Sequence, residues 1–237
     1  GLESVVWSID GQLIFSDALK HWPRADGAVA PCILIDSATN LTISSRGRRG
    51  VLDGQGSRWW GLPGIGYLER MENRPKLLEI RGGTDILVEK LLLKDSAYWT
   101  FWAHGIDGLE VRFTDISARR TPLDEHDIID LTAFNTDGFD VSGNNVWIHD
   151  CSVWNQDDCI AVKGGTNMLF ERIEASGVGL TIGSIGASIV RNITFRDCVM
   201  HKTYKGIYLK FNGGAETQPG LIENVLYENI HIYEPEQ

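Results

Sequence analysis

Residues 145–170 read NVWIHDCSVWNQDDCIAVKGGTNMLF, and the stretch holds one short phrase twice. Asn145-Val146-Trp147-Ile148 and Asn167-Met168-Leu169-Phe170 each set a small polar residue before an apolar, a variable and a second apolar position, 22 residues apart. The phrase recurs as Asn40-Leu41-Thr42-Ile43, Asp85-Ile86-Leu87-Val88, Gly108-Leu109-Glu110-Val111, Asn192-Ile193-Thr194-Phe195 and Asn224-Val225-Leu226-Tyr227. Successive starts lie 45, 23, 37, 22, 25 and 32 residues apart. Spacings of 22 to 25 fit a solenoid coil of three short strands, 45 is close to two such coils, and the others read as one coil plus a loop. Alternating apolar positions argue for strands with one inward face, and Asn, Asp and Gly suit the bends between them.

A second column of strands runs in phase with the first: Phe139/Val141, Ile160/Val162, Leu180/Ile182 and Ile207/Leu209. Coils stacked about 4.8 Å apart make equivalent residues neighbours on the surface. Two positions before each of these strands stand Asp137, Asp158, Val178 and Lys205, with Asp157 beside Asp158. Outward positions within the strands add Asp140, Lys163, Tyr208 and Lys210.

Carboxylates stacked on adjacent coils repel, so the arrangement is costly unless chemistry, a metal or basic partners compensate. The plain structural reading is a solvated Asp/Lys ladder, with Lys163, Lys205 and Lys210 as partners. One chemical reading is general acid/base cleavage of a glycosidic bond, in which one carboxylic acid protonates the leaving oxygen and another carboxylate activates water. The other is a calcium-dependent polysaccharide lyase, since carboxylate clusters also bind Ca²⁺.

Composition narrows the classes. A chain of 237 residues, 43% hydrophobic and 23% charged, suits one domain. A formal charge of -10 argues against nucleic-acid binding, which needs a basic face, and requires that any acidic substrate be met by a local group of Lys or Arg. No run of eighteen apolar residues marks a membrane span, and Gly1 to Asp10 shows no signal-peptide pattern. The four cysteines, Cys32, Cys151, Cys159 and Cys198, fit two disulfides or four buried thiols; without a CxxC pair they do not read as structural zinc. Asn40-Leu41-Thr42 and Asn192-Ile193-Thr194 both fit the N-glycosylation pattern.

Asn135-Thr136-Asp137-Gly138-Phe139-Asp140, Gln156-Asp157-Asp158-Cys159-Ile160-Ala161-Val162-Lys163 and Gly179-Leu180-Thr181-Ile182-Gly183-Ser184-Ile185-Gly186, in that order and spacing, resemble glycoside hydrolase family 28, the polygalacturonases and rhamnogalacturonases. Leu52-Asp53-Gly54-Gln55-Gly56-Ser57-Arg58-Trp59-Trp60 and Arg74-Pro75-Lys76-Leu77-Leu78 are similar to that family's early coils. The resemblance implies an all-β chain, a right-handed parallel β-helix forming one domain over residues 1–237. It further implies a secreted monomer that uses no metal or organic cofactor, binds no nucleic acid or membrane, and hydrolyses the α-glycosidic bonds of pectic polysaccharide (galacturonan or rhamnogalacturonan) with inversion. In that reading Asp158 is the general acid, and Asp137 with Asp157 positions and deprotonates water. Lys210 contacts a uronate carboxylate at subsite +1, and Tyr208, Lys163 and Asn135 are further substrate contacts.

Two departures stand out. The family's Gly-His-Gly is Gly177-Val178-Gly179 here, and its Arg-Ile-Lys is Tyr208-Leu209-Lys210. Val178 cannot donate a hydrogen bond to a carboxylate, and Tyr208 cannot form the bidentate fork of arginine. A carbohydrate-binding relative that has lost turnover is therefore a further alternative. Ala175 stands near where many relatives pair a cysteine with the one after the Asp-Asp, which leaves the partner of Cys159 open. Relatives also have a capping element and further coils, so terminal coils beyond Gly1 and Gln237 are expected.

His104, His126 and His149 are the candidates to replace the missing histidine. Each reads more simply as structural; His126 is the best placed if its loop folds over Asp137. Trp59, Trp60, Tyr98, Trp99 and Trp102 could stack on sugar rings, although packing inside the solenoid is the preferred reading.

Overall fold

The computed structural model describes residues 1–25, 27–62, 73–120, 132–212 and 219–237. Its strands are β1 (Leu2–Ser8), β2 (Gln12–Ile14), β3 (Arg24–Ala25), β4 (Ala28–Val29), β5 (Ile33–Ser44), β6 (Gly50–Asp53), β7 (Leu78–Glu89), β8 (Leu91–Lys94), β9 (Phe101–Arg112), β10 (Asp115–Ser117), β11 (Phe139–Trp154), β12 (Ile160–Ser176), β13 (Gly179–Ile185), β14 (Ile189–His201), β15 (Gly206–Phe211) and β16 (Leu221–Tyr233). Apart from the antiparallel pair β3 and β4, they pair in parallel within one fourteen-stranded sheet. The sheet winds into coils with three faces, because each long strand turns twice without losing its hydrogen-bond ladder.

The turns are made by residues in the left-handed region. All seven leading residues of the sequence phrase have positive φ: Asn40 52°, Asp85 54°, Gly108 87°, Asn145 56°, Asn167 58°, Asn192 57° and Asn224 53°. Asn, Asp and Gly adopt this conformation at least cost. The asparagines also form a ladder along the solenoid. Asn167 Nδ2 donates to Asn145 Oδ1 (3.4 Å), Asn192 Nδ2 to Asn167 Oδ1 (3.2 Å) and Asn224 Nδ2 to Asn192 Oδ1 (3.3 Å). A second row of bends, five residues further along, had no such signature, because it uses Lys90, Phe113, Asp150, Arg172, Asp197 and Asn229. Both potential glycosylation sites lie on the first row, exposed; Asn40 Nδ2 donates to Ser4 Oγ and Asn192 Nδ2 to its ladder neighbour.

Inside the coils, like stacks on like. Ile43, Val88, Val111, Ile148, Phe170, Phe195 and Tyr227 are direct register partners in successive coils. Phe170 and Phe195 stack with centroids 4.7 Å apart, and Phe195 and Tyr227 at 4.6 Å, close to the roughly 4.8 Å rise per coil. Leu41 pairs with Ile86, so the interval of 45 residues is one coil carrying an insertion and not two coils. The four cysteines are free thiols, three of them in the core. Burial lifts the Cys32 and Cys151 thiols to about 12 and Cys198 to about 11. Among the described residues, no helix is long and apolar enough to cross a membrane.

Candidate active site

The strands of one face begin in register at Leu78, Phe101, Phe139, Ile160, Leu180 and Ile207. Two residues before each stand Lys76, Trp99, Asp137, Asp158, Val178 and Lys205. The row expected from the repeat is present, and Lys76 and Trp99 extend it. The coils approach so closely here that glycine is required. A Cβ on Gly138 would lie 2.2 Å from the Cys159 carbonyl oxygen, and one on Gly177 2.2 Å from Asn155 Oδ1 and 2.7 Å from Cys159 Sγ. Asn155 Nδ2 donates to the carbonyls of Thr136 and Asp158, 2.9 Å each, clamping the loops that carry the carboxylates.

Asp137, Asp157 and Asp158 each offer an oxygen within 4.8 Å of the others. They are 4%, 6% and 1% exposed, and Asp140, in the outward row of its strand, is wholly buried, so the reading as a solvated Asp/Lys ladder does not hold there. Lys163 occupies a β-bulge, where the pairing of β11 with β12 shifts between Val141 and Ser142, and a bulge re-aims a side chain. Its Nζ lies 3.1 Å from Asp140 Oδ1, 4.0 Å from Asp137 Oδ2 and 5.3 Å from the Trp99 ring centre. Lys210 Nζ donates to Asp158 Oδ2 at 3.2 Å, and Thr181 Oγ1 donates to Asp158 Oδ1 at 2.5 Å. Asp157 accepts from the backbone N–H groups of Asn135 (3.0 Å) and Asp158 (2.8 Å).

Four carboxyl groups face two ammonium groups in a place water hardly reaches, so full ionisation is unfavourable. Burial, reinforced by Asp140 and Asp157, pushes Asp137 well above the usual carboxylate range. Burial lifts Asp140 to about 7 despite Lys163. It lifts Asp157 to about 6, helped by the charge of Asp158 and opposed by the two backbone N–H bonds. Lys163 is held protonated, the carboxylates outweighing the burial that acts against its charge. The cluster therefore stores protons at mildly acidic pH beside carboxylate oxygens, as general acid/base chemistry requires.

Asn135, Asp137, Asp157, Asp158, Lys163, Tyr208 and Lys210, the expected catalytic and substrate-contact residues, lie in this region. Asn135 is engaged within the protein: its Nδ2 donates to Asp157 Oδ2 (3.4 Å), and its Oδ1 accepts from Arg74 Nη2 (3.0 Å). The Tyr208 ring sits between two ammonium groups, Lys205 at 4.8 Å and Lys210 at 5.4 Å. Trp59 and Trp60 are buried as expected, whereas Tyr98, Trp99 and Trp102 are half-buried beside the cleft. His149 lies in another column, bonded to Asp150 and Glu110. His104 lies one coil before the carboxylates, 3.5 Å from Glu79, and His126 lies outside the described residues. Thr181 was missed, although its row of outward positions (Asp140, Ala161, Thr181, Tyr208) follows from the same repeat phase. Asn155 and Arg74 act through loops whose approach no local pattern reveals.

The profile described as Glycosyl hydrolases family 28 matches residues 9–235. Endopolygalacturonase I of Aspergillus oryzae is 34% identical over 204 residues, covering 84% of this chain and 52% of that protein. This chain thus spans about half the length of the curated relatives it matches. Among solved structures, the endo-xylogalacturonan hydrolase of Aspergillus tubingensis superposes with a TM-score of 0.75 at 23% identity, over 96% of this chain and 58% of that one. The polygalacturonase of Erwinia carotovora superposes with a TM-score of 0.72 at 21% identity, over 98% and 68%. These likenesses establish the fold as a right-handed parallel β-helix.

Proposed function

The chain belongs to glycoside hydrolase family 28, and on that premise we propose that its cleft hydrolyses α-glycosidic bonds of a pectic polysaccharide. The observation that carries the reading is the convergence of Asp137, Asp157 and Asp158 within 4.8 Å, on neighbouring coils. A proton held by the Asp137–Asp157 pair passes to Asp158, which protonates the leaving oxygen, and the carboxylate left behind holds and deprotonates the attacking water. We infer inversion from membership in the family, with the attacking water held between Asp137 and Asp157. Lys210, free to turn from Asp158 toward a uronate carboxylate, offers a charge-assisted contact on the leaving-group side, and Tyr208 and Lys163 complete the walls. A polymer of this size places the enzyme outside the cell.

A calcium-dependent lyase is disfavoured by the donor set. Ammonium groups of Lys163 and Lys210 already lie 3.1 and 3.2 Å from carboxylates of the cluster, where a Ca²⁺ ion would meet repulsion. Product analysis on a panel of pectic polymers tests the assignment. Hydrolysis yields new reducing ends without ultraviolet-absorbing unsaturated products, unaffected by chelator, and the first-formed anomer is the inverted one. Asp158→Asn should lower the rate by about 10²–10⁴-fold with the fold unchanged. Retained activity in that variant, or chelator-sensitive release of unsaturated sugar, refutes the assignment.

A further inference from the structure

We propose that the aromatic pocket beside the carboxylates is a second uronate-binding subsite, on the side of the cleft opposite Lys210, with Lys76 as its cation. The inference rests on the pectic reading above and names a recognition element for it. A cavity of about 360 Å³ opens between Val29 and Pro31 on one wall and Arg74, Lys76, Tyr98, Trp99 and Trp102 on the other, within the usual size of small-ligand sites. Trp99 and Trp102 meet edge to face, centroids 5.3 Å apart at 75°, and Tyr98 stacks against Trp99 at 5.1 Å. The half-buried rings form an angled apolar wall of the kind a pyranose face covers well.

Lys76 supplies the charge. Its Nζ lies 4.1 Å from the Trp102 ring centre and 5.6 Å from that of Trp99, so the two rings hold the ammonium in place before any ligand arrives. Glu79 lies 3.3 Å from it, but this carboxylate is wholly buried and is shared with Arg81 at 2.5 Å. Arg74 lines the same pocket, so two cations face it, with Glu79 as a buried anion that Lys76 shares with Arg81, and the pocket keeps net positive charge within a protein of formal charge -10. A neutral sugar would have no use for it, whereas a uronate carboxylate gains a charge-assisted hydrogen bond.

The pocket adjoins the carboxylates. Trp102 is the register partner of Asp140 on the next coil, and Trp99 lies 5.3 Å from Lys163, which contacts Asp140 and Asp137. Lys210, on β15, lies on the far side of β12 and β13. A polyanion laid along the face thus meets Lys76 at one end and Lys205 with Lys210 at the other, with the carboxylates between.

The test is calorimetric titration of trigalacturonate and of its fully methyl-esterified form into the Asp158→Asn protein, with and without Lys76→Gln. The proposal predicts that Lys76→Gln weakens trigalacturonate about tenfold and leaves the neutral ester within about twofold. Trp102→Ala should weaken both ligands. Unchanged affinity for trigalacturonate in Lys76→Gln, or an equal loss for both ligands, overturns the subsite. Because binding is read without turnover, a protein that shows the Lys76 effect but whose unmutated form releases no product keeps the subsite and refutes hydrolysis; one that hydrolyses pectin but is insensitive to Lys76 does the reverse.

Discussion

Replacing Asp140 with asparagine should flatten the decline in stability expected of this protein between acidic and neutral pH. Asp140 is wholly buried, and burial lifts its carboxyl from 3.8 to about 7 even with Lys163 at 3.1 Å. The folded pKa lies above the unfolded one, so between these values the folded protein keeps a proton that the unfolded chain has released. The contribution of Asp140 is therefore fully present below about pH 4 and is lost as the pH rises through about 7. A gap of about three units corresponds to about 4 kcal/mol. Asp137, pushed up by burial and by Asp140 itself, Asp157, lifted to about 6, and Asp95, raised by burial, act in the same direction, while His104, lowered by burial, opposes them. Asp150, held at about 2 by Arg172, titrates below the window. The decisive quantity is consequently the difference between variant and parent. Urea unfolding measured from about pH 4 to about pH 7.5 should find Asp140→Asn close to the parent at the acidic end, because the amide mimics the protonated acid. It should gain about 4 kcal/mol on the parent at the neutral end. Parallel stability curves for the two proteins would refute the argument that this carboxyl is held protonated by burial.

Three further outcomes follow from the same geometry. Val178→His places a hydrogen-bond donor beside Asp158 in the row and should raise galacturonan hydrolysis about tenfold; an unchanged rate in a reducing-end assay would mean that the missing histidine does not limit this cleft. Gly177→Ala drives a methyl into Asn155 and Cys159 and should cost about 1–3 kcal/mol, lowering Tm by about 3–10 °C in a thermal melt; no shift would show that the coils can separate. Asn167→Ala removes two rungs of the asparagine ladder at a left-handed residue and should cost about 1–2 kcal/mol, whereas Asn167→Gly, which keeps the conformation, should cost less. Equal losses in denaturant unfolding would assign the effect to the hydrogen bonds alone.

The leading Asn, Asp and Gly of each phrase, and the alternating apolar residues after them, determined the coil, its stacking and its phase, because a left-handed bend and a one-sided strand each demand particular residues in a short window. Through that phase the sequence alone put Asp137, Asp158, Val178 and Lys205 in one row. It misjudged the 45-residue interval, because an insertion and an extra coil lengthen a chain alike. It also missed the bends at Lys90, Phe113 and Arg172, where the stacked neighbours impose a conformation that the residues do not prefer. What only the tertiary structure decided is the environment of the row. Burial of Asp140, the bulge at Lys163, the Thr181 and Lys210 contacts to Asp158, and the Lys76 pocket all arise between coils. Solvation and charge coupling depend on what lies above and below a residue, and a linear pattern records only what lies beside it.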